Sequence, residues 1–137
     1  MGFEVYVQCF GESVGSGISR AAVRRLFPVI EQESEPDYWR IHYDQTNSCT
    51  IAVTPIPSDK ERLKSLFVER PCGDLRLWDA LLSVLRMGRV VIFWPGSPPI
   101  VSDAVLASEL PKDMTNALGR VRIVTSGEDF LSLLRET

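Results

Sequence analysis

The chain has 137 residues, 45% of them hydrophobic and 24% charged, with 15 basic against 18 acidic side chains and a net charge of −3. That length supports one domain able to bury a core without disulfide or metal support, and the composition excludes disordered and fibrous classes. A pI near 5.2 argues against a nucleic-acid partner, whose phosphates demand a concentrated positive surface.

Three cysteines, Cys9, Cys49 and Cys72, form no C-x-x-C pair, so the expectation is free core thiols with no metal and no cofactor. Met1-Gly2-Phe3-Glu4 carries no basic segment leading into an apolar stretch, and no serine or threonine stands where a myristoylation signal needs one. The longest apolar run, Val90 to Pro95, is far short of the roughly 20 residues that cross a bilayer. A soluble, cytoplasmic protein without membrane contact is expected.

Phe3 to Phe10 alternates apolar and polar residues, the period of a half-buried strand. Gly11 to Gly17 then forms a glycine-serine loop, and Ile18, Ala22, Val23, Leu26 and Phe27 recur at helical spacing, with Ser16 or Ser19 as cap and Pro28 as stop. Glu31 to Pro36 has no apolar period and reads as a solvated, mobile acidic loop. Tyr38–Asp44 and Ser48–Ile56 form a hairpin around Gln45-Thr46-Asn47, where Asp44 and Asn47 can bond their own backbone. In that hairpin Trp39, Ile41 and Tyr43 share one side, with Arg40 and His42 on the other.

Ser58-x-x-Glu61 has the spacing of a capping box and predicts a helix carrying Leu63, Leu66 and Phe67. Phe67 to Arg70 finishes that helix or forms a short edge strand. Asp74 to Met87 is the clearest helix, with Leu75, Trp78, Leu81, Leu82 and Leu85 at spacings of three and four and Gly88 beyond its end. Arg89 to Trp94 is apolar on both sides, as in a strand covered on both faces. Pro95 to Pro99 is a stiff loop, Ser102–Leu110 and Pro111–Leu118 are short helical turns, Arg120–Val124 is a strand, and Ser126-x-x-Asp129 caps a terminal helix.

The order through Trp94 is β-α-β-β-α-β. It predicts an α+β, ferredoxin-like βαββαβ sandwich over residues 1–95, with an appended α-β-α at the C-terminus, residues 96–137, packing on it within a single domain.

Four constellations bear on chemistry. Gly11-Glu12-Ser13-Val14-Gly15 matches G-x-S-x-G between a strand and a helix, the context of a nucleophile elbow, with His42 the sole histidine available as base. Gly11, Gly15 and Gly17 form an anion loop in the alternative reading, with converging amides and Arg20, Arg24 and Arg25 nearby. Cys72 lies near a helix start, where a thiol pKa falls. Tyr38, Trp94, Glu33 and Glu35 are candidates for partner binding, as rigid aromatics and an acidic loop.

Val5 to Phe10 resembles the first-strand motif of RNA-recognition folds over six residues. The strand taken as its companion, Cys49–Pro55, lacks the basic, glycine and aromatic series of the second motif. The composition and the absence of a coherent catalytic set point to a protein-binding module of the inhibitory or immunity type, with a protein partner or a second copy of the chain. A small-ligand regulatory domain and a small hydrolase using Ser13 or Cys72 are the alternatives.

Overall fold

The computed structural model of the chain describes residues 3–136; Met1 and Gly2, which bear on a leader or lipid signal, lie outside them. The described residues form a mixed α+β fold around an eight-stranded sheet. Its strands are β1 (Glu4–Cys9), β2 (Ile18–Ser19), β3 (Tyr38–Asp44), β4 (Asn47–Ile56), β5 (Asp59–Glu69), β6 (Val90–Phe93), β7 (Ile100–Val101) and β8 (Arg122–Ile123). The helices are α1 (Ser13–Ser16), α2 (Arg20–Arg24), α3 (Leu75–Leu85), α4 (Ala104–Glu109), α5 (Lys112–Leu118) and α6 (Gly127–Glu136). The sheet order is β3-β4-β5-β1-β6-β7-β8, with β2 pairing β5. Every pairing is antiparallel except β7 with β8.

One face of the sheet is fully covered. Alternation sends Val5, Val7, Trp39, Ile41, Ile51, Val53, Leu66, Val68, Val90 and Ile92 to this side, where they join Leu77, Trp78, Leu81, Leu85, Phe130 and Leu133 of α3 and α6 in one core. The amphipathic period of α3 is thus spent on the sheet, and the Asp74 carboxylate caps it by accepting from the Arg76 N–H at 2.8 Å. Ile100, Val124, Phe130 and Leu133 belong to the same core as the first 95 residues. On the other face a smaller cluster of Phe10, Val91, Val101 and Leu110 lies under α4 and α5, so Val90, Val91 and Ile92 of β6 are buried, as its apolar run implied, while Phe93 stays partly exposed.

The ferredoxin-like βαββαβ order is not the one observed, because the expected helix over Ser58 to Phe67 is β5, the longest strand in the sheet. Asp59 accepts from the Glu61 N–H at 3.0 Å, so the apparent capping box is a hairpin turn. Farther along, Thr54 faces Ser65 and Pro55 faces Leu63, which leaves Lys64 as an extra residue against β4. That bulge puts Leu63 and Leu66 three apart on the same covered face, and the spacing imitates a helix. Strands β3, β4 and β5 therefore run as a meander.

The helix expected from Ile18 to Phe27 is also divided. Ile18 and Ser19 pair with Leu63 and Arg62, and the Ser19 hydroxyl then caps α2 by accepting from the Ala22 N–H at 3.2 Å. Gly17 makes this possible: its φ is +65°, and a Cβ there would lie 2.7 Å from the Leu63 carbonyl oxygen and 2.6 Å from Ile56 Cδ1.

The acidic segment is not a free loop. Glu31–Glu33 forms one 3₁₀ turn. Around it, Ile30 N–H donates to the Arg40 carbonyl, His42 N–H to the Pro28 carbonyl, and Glu35 and Tyr38 exchange backbone bonds. The segment straps the outer edge of β3, occupying groups that would otherwise template another strand.

Candidate interaction surface

Over β3, β4, β5 and β1, and at the Phe93 end of β6, the second face of the sheet lies outside the cluster that packs under α4 and α5. The residues that alternate onto it fall into rows that cross the strands. Tyr38, Ala52, Phe67, Tyr6 and Phe93 stand opposite one another in sequence across five strands. Tyr6 stacks on Phe93 with centroids 5.5 Å apart and sits tilted beside Phe67 at 6.2 Å. Tyr38 is 43% exposed, and Phe67, Tyr6 and Phe93 are half-buried by one another. Ala52 leaves a notch between Tyr38 and Phe67.

A second row runs Arg40, Thr50, Glu69, Glu4. Two carboxylates, Glu4 and Glu69, stand directly opposite each other, an unfavourable pairing in a sheet. Tyrosine hydroxyls hold both: Tyr6 donates to Glu4 at 2.8 Å and Tyr38 to Glu69 at 3.0 Å. The bond to Glu4 raises the Tyr6 pKa. Neither carboxylate, nor Arg40, makes an ion pair among the described residues. Arg70 follows at the end of β5 with φ +50°, the sole positive value outside glycine among the described residues. With Tyr38, Arg40, Thr50 and Glu69 it lines a recess of about 320 Å³.

The catalytic candidates are not brought together. Ser13 is buried and its hydroxyl accepts from the Arg89 N–H at 3.0 Å, tying α1 to the start of β6. His42 lies exposed on β3, with β4, β5 and β1 between it and β6. Cys72 is half-buried, and burial raises its thiol pKa rather than lowering it. Cys9 and Cys49 are likewise pushed up by burial, to about 11 and about 12.

The glycine loop is turned the wrong way for an anion. Arg62 donates to the Ser16 and Gly17 carbonyl oxygens, each at 2.9 Å, so carbonyls rather than amides face the nearest cation. Gly15 is exposed with open space around it, while Gly11 takes φ +58° beside the Arg89 stem. Arg20 is committed to Lys60 O, Pro36 O and Asp37, and Arg24 to Glu31.

Among the partner-binding candidates, Tyr38 is on the open face, and Glu33 and Glu35 are exposed on the β3 strap. Trp94 is 2% exposed and packs edge-on against Trp78 at 5.9 Å, so it offers no surface. Sequence reasoning missed Tyr6, Phe67 and Phe93 as one surface because it placed Phe67 on a helix. The strand beside Tyr6 is β5, not the Cys49–Pro55 strand, and an aromatic does stand there. Compared with protein-family models, curated proteins and solved structures, the chain gives no significant match. No helix among the described residues is long and apolar enough to cross a membrane.

Proposed function

We propose that the chain is a non-catalytic protein-binding module, of the inhibitory or immunity type, acting in the cytoplasm through the open face of β3, β4, β5, β1 and β6. One observation carries the reading: the Tyr38–Ala52–Phe67–Tyr6–Phe93 row stays partly exposed, Tyr38 most of all, in a sheet whose opposite face packs into the main core. Contiguous apolar surface on a small domain marks an interaction site. Tyrosine and phenylalanine on a rigid strand supply large contact area for little loss of side-chain freedom.

A polypeptide fits the charge pattern better than a nucleic acid, because Glu4 and Glu69 offset Arg40 and Arg70 beside the aromatic row and leave no positive excess for phosphates. A hydrolase is disfavoured by the separation of Ser13, His42 and Cys72, and by thiol pKa values that burial raises. The test is a photo-crosslinking residue in place of Phe67, with the same residue in place of Val105 on α4 as an exposed control, expressed in the source cell. A polypeptide adduct at position 67 and none at 105 is the expected result; no adduct at 67 overturns the reading.

A further inference from the structure

We infer that the open face is covered by a second copy of this chain, docked face to face about a two-fold axis running along the strands between β4 and β5. The inference rests on the reading of that face as the binding surface. Rotation about such an axis lays β3 over β1 of the second copy and β4 over its β5, and it keeps every cross-strand row in line. Sheets stacked this way lie about 10 Å apart, room for one interdigitated layer of side chains.

The two rows are self-complementary under that operation. In the charged row the positive group is on β3 and the negative groups are on β5 and β1, in the order Arg40, Thr50, Glu69, Glu4. Turned over, the row sets Arg40 above Glu4 of the second copy. All three charges lack an ion pair within one chain's described residues. A uniformly basic or uniformly acidic partner would oppose one end of this row, whereas its own inverse satisfies both ends. In the aromatic row, Phe67 comes over Ala52 of the second copy and Tyr38 over its Tyr6, so the largest projection meets the notch.

Edge-to-edge growth at β3 is blocked, since residues 28–35 already occupy that edge. The four paired strands at about 4.8 Å and the two rows of side chains span roughly 260 Å² of sheet per copy. A standard stable interface takes about 800 Å² per partner. The dimer is therefore a concentration-dependent one.

Sedimentation velocity from about 1 to about 200 µM covers the expected range of dissociation constants. The wild-type mass should rise from one chain to two across it. Arg40→Glu and Glu4→Arg should each weaken association at least tenfold, with circular dichroism unchanged because both positions are on the surface. Mixing these two variants should restore the dimer, since each then carries the charge that the other lacks. Ala52→Tyr, which fills the notch, should also be monomeric. A wild-type chain that stays monomeric throughout overturns the inference, as does a mixture that fails to re-associate. If that monomer still crosslinks through position 67 to a different polypeptide, the binding-surface reading stands and the second copy falls. If position 67 traps nothing, the reading itself fails.

Discussion

The same five strands present two faces that are built by different rules. On one, Trp39, Ile41, Ile51, Leu66, Val68, Val5 and Ile92 are almost fully buried against α3 and α6. On the other, Tyr38, Phe67, Tyr6 and Phe93 stand beside Arg40, Glu69 and Glu4 and are only partly hidden. Residues one step apart along a strand, such as Ile51 and Ala52 on β4 or Leu66 and Phe67 on β5, thus belong to different problems. One face is chosen by close packing, where a missing methylene is felt; the other tolerates loose packing and like charges in opposition. Interior packing secures the fold, and the open face is left available for contact.

That contrast is easiest to break from the covered side. Ile51→Ala should cost about 2–5 kcal/mol, the range for buried large-to-small changes, seen as a lower urea midpoint with an unchanged slope. Gly17→Ala should follow, at about 1–3 kcal/mol, because positive φ and the Leu63 carbonyl both oppose a Cβ. A value within a few tenths of zero would mean that β2 does not hold its place against β5. Phe67→Ser, next to Leu66 in sequence but on the open face, should cost about 1 kcal/mol while abolishing the self-association. A loss as large as that of Ile51→Ala would show that the two faces are not distinct.

The smallest effect is in pH. Asp44 closes the β3–β4 turn by accepting from Thr46 and Asn47, and these bonds hold its pKa near 2. Its unfolded value is about 3.9. Its contribution is therefore fully present above about pH 4 and is lost as pH falls through the folded value. Asp44→Asn should flatten the acid limb of stability between about pH 4 and about pH 2 without removing it, since Asp74 and Asp129 are lowered as well. An unchanged acid limb would place the dependence elsewhere.

Much of this fold is legible in local pattern. The strand from Glu4, the turn at Asp44, the helix capped by Asp74 and the apolar Val90–Phe93 strand follow from period and capping, because each element keeps one regular period along its length. The failures share a cause. At Leu63–Leu66 a bulge changes the period from two to three, and at Gly17–Ser19 two residues are pulled into the sheet by a pairing with β5, more than 40 positions away. Nothing local records either event. The G-x-S-x-G match fails for a similar reason: the motif is local, whereas His42 lies on the far strand of the meander.

Hydrophobic period, capping residues and glycine act over a few residues, so local pattern is enough to say which side chains can be buried and where the chain must turn. The tertiary structure alone decided which strands are neighbours, and hence that Tyr38, Phe67, Tyr6 and Phe93 form one row and that Arg40 and Glu4 lie at opposite ends of another. A row across a sheet is a property of register, set by long-range pairing, and no window along a single strand contains it.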